Sequence, residues 1–505
     1  MIIEQDLHGT FSKDRFCHQF ILGSRFVDSL VGWQQVDVSD SLKLTLHPEV
    51  TVEQKSDGTK SITLIGYILD PQKPESSNAD IINNLLKNFF AIEDLANQTA
   101  KYAGRWIIIA QVDGQSGLFN DALGLRQIFY TTPDFTNGFW AMSQPGILAW
   151  LYDLKITPEA ASFIDSHEFR SRTEYRWPGV ATAFREIHHL LPNHYLDSNT
   201  GKKHRFWPNQ QLQKMSFEEG INKATDILKG LMQAAHHRFE LVIGMTAGID
   251  SRVVLAASRD IIEDMEGITV RQGRMPEDHQ DLRIASSLLG RLAIPHKIFK
   301  ALPFMSAEFS MLFKQNVFMA HDHYGPDVEV ILDHLSRSKV VATGSGAEVT
   351  KGVYKSWCYP EEHEFTANDL AHLQWMDGSE FAVKYFRAWL DDLGELYDIK
   401  MLELFAWEQG HGNWLAGTQM EFDLAWKDIF TPFNCRELLE CLMSINIDNR
   451  CGVSSDDRVF TSLIESMWPE LLQEPVNPDD KQFKCPSRKL IWRAIRAIKR
   501  RMSYF

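Results

Sequence analysis

The stretch Gly244-Met245-Thr246-Ala247-Gly248-Ile249-Asp250-Ser251-Arg252 has the residue types needed to hold a polyphosphate. It follows an apolar strand pattern at 241–245 and leads into a helical pattern from about Arg252. Free backbone N–H groups in such a place, together with the helix dipole, form an anion site. Ala247 and Gly248 let the backbone wrap a pyrophosphate, Thr246 and Ser251 supply hydroxyl donors, and the Asp250 carboxylate is able to hold Mg2+. No Gly-Lys-Ser/Thr follows, so the loop is not of the Walker type. An ordinary strand-to-helix turn capped by Asp250 or Ser251 would use some of the same residues.

A second segment follows a strand pattern at 339–343: Gly344-Ser345-Gly346-Ala347-Glu348-Val349-Thr350-Lys351-Gly352-Val353-Tyr354. The two segments together resemble the asparagine synthetase family. Its S-G-G-x-D-S loop agrees at Gly248, Asp250 and Ser251, while Thr246 and Ala247 replace the Ser and the first Gly. Its G-x-G-[AS]-D-E-x-x-G-G-Y segment is similar to 344–354, with Glu348 where the family has its second magnesium-binding Asp. Other stretches agree in order: 277–285, 421–436 and 463–475, and in the amino-terminal half 102–130 and 185–195.

The resemblance spans nearly the whole chain and implies an α/β protein in two parts. Residues 1–205 would be an αββα Ntn-type sandwich of the glutamine amidotransferase kind. Residues 216–505 would be a parallel-sheet ATP-pyrophosphatase (adenine nucleotide α-hydrolase-like) domain with a helical carboxyl-terminal part. It implies ATP and Mg2+ as cofactors, with Asp250 and Glu348 sharing the ion. Thr246, Ser251 and Arg252 would hold the leaving pyrophosphate, and adenine and ribose would lie against Met245, Val270, Thr343 and Gly344. The chemistry implied is activation of a carboxylate as an acyl-adenylate, then attack by an amine. The partners are thus a small-molecule or peptide carboxylate and an amine donor. Asparagine formation from ammonia, and a non-catalytic nucleotide-binding role, stay open as alternatives, as does a homodimer.

Three departures shape this reading. Glutaminase chemistry needs a cysteine as the first residue, its thiolate attacking the amide and its own amine acting as base. Here Met1 precedes Ile2 and Ile3, the first cysteine is Cys17, and the family's N-G pair is changed to Ile65-Gly66. The amino-terminal domain therefore reads as an inactive amidotransferase fold kept as structure. Ser345 stands where asparagine synthetases carry Glu and β-lactam synthetases Tyr. The lysine that assists amide formation is assigned to Lys481, one position out of register, with Lys484 as the alternative.

The elements needed to position these groups follow from hydrophobic patterning. Residues 1–205 show short strand patterns at 42–46, 61–69, 106–112 and 139–142, turns at Asp57-Gly58 and Asp113-Gly114, and a helix at 80–90. From 217 onward, helical and strand patterns alternate: helix 217–236, strand 241–245, strand 267–271, helix 281–289 and strand 339–343. That order predicts a parallel sheet with ligands at its carboxyl edge. Residues 360–505 read as helical, with Trp407, Trp414 and Trp426 in the core. His321-Asp322-His323 lacks a third spaced metal ligand and reads as a polar helix-end cluster.

At 505 residues the chain has room for two to four domains at about 150 residues each. The net charge of −15 weighs against a general nucleic-acid binder, and the basic run Arg493, Arg496, Lys499, Arg500, Arg501 reads as a solvated helix face. The 6 cysteines form no C-x-x-C pair, so buried reduced thiols are expected. No apolar run reaches membrane-spanning length and no signal peptide is apparent, which predicts a cytoplasmic protein.

Overall fold

A computed structural model describes residues 15–170, 174–354, 363–446, 449 and 457–478. Its amino-terminal half holds two antiparallel six-stranded sheets. In one of them Lys60–Leu69 pairs with Ala103–Val112 along its whole length, from Lys60↔Val112 to Leu69↔Ala103. Successive side chains of a strand leave opposite faces, so these two strands feed two cores. Ile65, Ile107, Ile109 and Leu118 meet Phe20, Leu22, Leu44 and Leu46 of the other sheet. Leu64, Ile108 and Ala110 instead share a cluster with Ile81 and Leu85 of the helix Asn78–Asn88. Ile21 and Met142, on the outer face of the other sheet, join Ile147 and Leu148 of the helix Pro145–Tyr152. The layers run helix, sheet, sheet, helix.

The expected turn at Asp113-Gly114 closes the hairpin between Ala103–Val112 and Gln115–Asn120, with φ of 49° and 77°. Left-handed values at both positions match the twist of the flanking strands. The polar stretch at 197–203 forms the tip of a second hairpin, which pairs His194–Asp197 with Lys202–Arg205.

The carboxyl-terminal half opens with α1 (Phe217–Arg238). Ser216 and Glu219 form a reciprocal capping box that satisfies two of its otherwise unpaired amides. Ile221, Ala224, Leu228, Leu231 and Ala235 make its buried stripe. Five strands then form an entirely parallel sheet: β1 (Glu240–Gly244), β2 (Glu266–Arg271), β3 (His296–Lys300), β4 (Lys339–Ala342) and β5 (Asp428–Phe430), in the order β3-β2-β1-β4-β5. After β1 the chain builds outward on one side to β3, then crosses to the other side for β4 and β5. The crevice at the carboxyl ends of β1 and β4 is therefore the topological switch point. Two strands of this sheet escaped the pattern reading. β3 is an edge strand with only Phe299 buried, and β5 is three residues long inside a stretch read as helical.

The two halves share one hydrophobic cluster, which runs from Phe16 and Ile68 to Leu370, Phe405 and Trp407. Polar contacts reinforce the join. Tyr67 donates its hydroxyl to the Ile429 carbonyl at 2.5 Å, and Asn434 accepts from the Leu123 N–H at 2.8 Å and donates to the Gly104 carbonyl at 2.5 Å. Gly104 has φ +118°, and a Cβ there would lie 2.2 Å from the Tyr67 carbonyl oxygen, so no other residue fits this kink. Beneath it the Arg105 guanidinium grips Asp423 at 2.5 and 2.8 Å and Asp428 at 2.9 Å, while Arg126 reaches Asp428 at 3.0 Å. Among the described residues, no helix is long and apolar enough to cross a membrane.

Candidate functional site

The two glycine-containing loops meet at the switch point. β1 delivers Thr246, Ala247 and Gly248, and α2 (Ile249–Ala257) starts immediately after, with no side chain capping its N-terminus. Its first amides, those of Ile249, Asp250 and Ser251, are the unpaired donors that attract an anion. From β4 comes Gly344, whose missing side chain is required. A Cβ there would lie 2.5 Å from the Asp250 carbonyl carbon and 2.7 Å from its Cβ. The close approach of these two loops brings Asp250 and Glu348 into one electrostatic field.

The loop after β1 is already hydrogen-bonded within the protein. Thr246 Oγ1 and Ser251 Oγ lie 3.2 Å apart, and the Gly248 N–H donates to Thr246 Oγ1 at 3.1 Å. The Ala247 N–H donates to a carboxylate oxygen of Asp281 at 2.8 Å, and α3 (Gln280–Arg291) carries that aspartate. A phosphate seeking the Ala247 amide has to displace Asp281. Met245 is buried in the core beside α1 and α2, so a nucleotide reaches only its backbone, while Val270 packs on the opposite face of the sheet. Thr343 Oγ1 donates to Ser345 Oγ at 3.2 Å, and the Ser345 carbonyl accepts from Thr431 at 2.6 Å.

Arg252 departs from expectation. Its guanidinium, buried to 0% exposure, donates to the carbonyls of Leu471 at 3.1 Å, Glu474 at 2.6 Å and Pro475 at 2.9 Å. Its Nη2 also stands 3.5 Å from the Ala247 carbonyl, so the guanidinium ties the loop after β1 to the 471–475 segment. It latches the 471–475 segment in place, and two residues beyond it the Asn477 N–H reaches the Ala247 carbonyl at 3.2 Å. Burial lowers its pKa to about 10. Lys481 and Lys484 lie outside the described residues, as do Met1 to Ile3 and the basic run 493–501.

Three groups at the site escaped the sequence reading. Lys351 forms an ion pair with Asp250. His411, set by a π-helical segment (Ala406–Leu415), lies 3.4 Å from Glu348 Oε2. Such widened turns are rare and recur at functional sites. Asp457 is buried and feels the charges of both Lys351 and Asp250. The only sequence signal for these was Lys351 itself, a cation inside the second glycine-rich segment.

The two carboxylates of the motifs titrate apart. Burial pushes Asp250 up to about 6, with the Glu348 charge adding to a rise that Lys351 only partly offsets. Burial also acts upward on Glu348, but the His411 contact and the Lys351 charge bring it down to about 2. For Mg2+ the fit is poor. The Lys351 ammonium already pairs with Asp250, so an ion seated between the carboxylates would have to displace it or bear its repulsion. The arrangement instead suits an anion, offering helix amides, two hydroxyls and a fixed ammonium.

Elsewhere His321 is held structurally. Its Nδ1 lies 2.6 Å from Glu421, its Nε2 lies 3.1 Å from the Tyr175 carbonyl, and its ring stacks on Tyr175. Among the described residues, one trio has a metal centre's donor set: Cys17, His47 and Glu49, with ligand atoms within 4.8 Å of one another. A guanidinium is already there, Arg337 Nη2 standing 3.4 Å from Cys17 Sγ and 3.2 Å from Glu49 Oε2.

No protein-family model and no curated protein matches this chain. Among solved structures it is similar to the glutamine phosphoribosylpyrophosphate amidotransferase of B. subtilis complexed with ADP and GMP. The identity is 11% and the TM-score 0.25, over 68% of this chain and 72% of that one. It is also similar to the NH3-dependent NAD synthetase of Campylobacter jejuni, at 15% identity and a TM-score of 0.21, over 37% of this chain and 99% of that one. The glutamine-dependent NAD+ synthetase of Acinetobacter baumannii matches at 13% identity and a TM-score of 0.21, over 60% and 68%. These likenesses are too slight to assign a fold family or an activity.

Proposed function

We propose that this protein is an ATP-dependent amide-forming ligase of the asparagine synthetase-like kind, an inactive Ntn-type amidotransferase fold joined to an ATP-pyrophosphatase-type domain. It activates a carboxylate as an acyl-adenylate, releases pyrophosphate and joins the acyl group to an amine. The observation that carries the reading is the meeting of the 246–251 and 344–348 loops at the switch point of a parallel sheet. The phosphates would take the amides of Ile249, Asp250 and Ser251 and the hydroxyls of Thr246 and Ser251. Adenosine would lie over the strand ends near Thr343 and Gly344. The amino-terminal half acts as scaffold. Cys17 is fully buried and its thiol donates to the Asp423 carbonyl at 3.3 Å, which supports the absence of a glutaminase nucleophile.

Calorimetry with ATP, followed by a pyrophosphate-release assay over a panel of carboxylates and amines, tests this. Saturable ATP binding with substrate-dependent release of AMP and pyrophosphate is the expected result. Absence of ATP binding would sink the proposal. A second reading, a nucleotide-binding protein without catalysis, is favoured by the carboxylate of Asp281 on the Ala247 amide. It predicts binding with no AMP formed from any pair.

A further inference from the structure

We infer that Lys351 is the resident cation of this site: it neutralises Asp250 and meets the nucleotide's phosphates, and the Asp250–Glu348 pair holds no divalent ion. The phosphate half of this statement rests on the crevice being a nucleotide site. The metal half does not.

The lysine is built in rather than draped over the surface. Its side chain is 3% exposed, so the stem is enclosed, while the Asp250 side chain it pairs with is 25% exposed towards the crevice. Nζ stands 4.5 Å from the centroid of the Phe460 ring, whose negative face favours a cation. The 3-10 turn Ala347–Thr350 fixes the backbone, and the Lys351 N–H donates to the Glu348 carbonyl at 3.1 Å. Glu348 and Lys351 thus enter the site from one rigid turn, three residues apart. Phe460 belongs to the helix Arg458–Met467, whose N-cap Asp457 is the third carboxylate in the field of the ammonium.

A lysine held on several sides does not swing out cheaply for an incoming ion, and a buried carboxylate stripped of its partner is costly. An ammonium has three donors, and one of them is on Asp250. The other two suit phosphate oxygens, which in most polyphosphate sites are bridged by a metal.

The test uses the full chain. ATP affinity is measured by calorimetry in EDTA and in excess Mg2+, and Mn2+ binding without nucleotide by the loss of free-ion electron spin resonance signal. Wild type should bind ATP in EDTA within about 3-fold of its affinity in Mg2+. Lys351→Met should lose at least about 10-fold of the EDTA affinity and gain at least about 10-fold in Mn2+ affinity, because Asp250 and Glu348 become a free pair. Lys351→Arg should keep the EDTA binding. Lys351→Gln repeats the comparison should the methionine variant fail to fold. EDTA abolishing ATP binding to wild type, or Mn2+ binding no tighter in the neutral variants, overturns the inference. If no form binds nucleotide, the ligase reading falls, while the Mn2+ comparison still decides whether Lys351 displaces a metal.

Discussion

Replacing Arg105 by Met asks whether the amino-terminal half is a scaffold that the parallel sheet needs. The Arg105 guanidinium makes two bonds to Asp423, at 2.5 and 2.8 Å, and one to Asp428 at 2.9 Å, with all three side chains nearly out of water. Methionine keeps the stem's packing but, among the described residues, leaves Asp423 with His18 at 3.8 Å and Asp428 with Arg126 as charged partners. Breaking a buried pair from one side costs about 3–5 kcal/mol, because the partner's charge stays buried and uncompensated. Arg105→Met should lose that much, read as the shift in urea midpoint followed by tryptophan fluorescence.

The pH dependence gives an internal check. Burial works to raise the Asp423 pKa, but the Arg105 charge and the His18 contact outweigh it and bring it to about 2, from an ordinary value of 3.8. A depressed folded pKa means stability that is complete above about pH 4 and is lost as pH falls through 2. The gap between wild type and Arg105→Met should therefore be widest at neutral pH and close on acidification towards pH 2. Asp423→Asn made in the Arg105→Met background should recover part of the loss by removing the stranded charge. A loss below about 1 kcal/mol, or a gap that widens in acid, would refute the reasoning.

Further outcomes follow from single groups. His189 stacks on Phe129 at 4.5 Å, and burial lowers its pKa to about 3. Its unfolded form takes up a proton near pH 6.5 that the folded form refuses, so stability should fall by up to about 1.4 kcal/mol per unit between pH 6.5 and 3. His189→Leu should flatten that slope by one proton in acid denaturation. Gly344→Ala should push α2 from the β4 loop, cutting ATP affinity at least about 10-fold while costing about 1–3 kcal/mol of stability. Wild-type nucleotide affinity in that variant would remove Gly344 from the site. Glutamine should not be hydrolysed, and aspartate with saturating ammonium should give little asparagine, because Ser345 lacks a base that typically contributes about 10²- to 10⁴-fold. Ammonium-dependent asparagine formation on amino-acid analysis would reverse that expectation.

What the sequence determined by itself is local. The strand, loop and helix around 241–257 follow from an apolar run, small residues and a helical pattern within a few positions of one another. The Asp113-Gly114 hairpin and the start of α1 at Ser216 were legible for the same reason, since their hydrogen bonds close within a turn. Paired glycine-containing loops, each after a strand, were enough to place the candidate site at a sheet's carboxyl edge. What tertiary structure decided is partnership. Asp281 reaches Ala247 across 34 positions, Glu348 meets His411 across 63 and Asp250 meets Lys351 across 101. Periodicity reports which face of an element is buried but not what lies opposite, and the strand order that sets those neighbours depends on crossovers. Arg252 shows the cost of reading along one loop: its guanidinium is taken up by carbonyls of 471–475 and of Ala247, partners that the loop's own residue types do not announce. β5 shows another, because three residues are too few for a pattern, and its place is fixed by backbone pairing with β4 and by Arg105 and Arg126 from the opposite half.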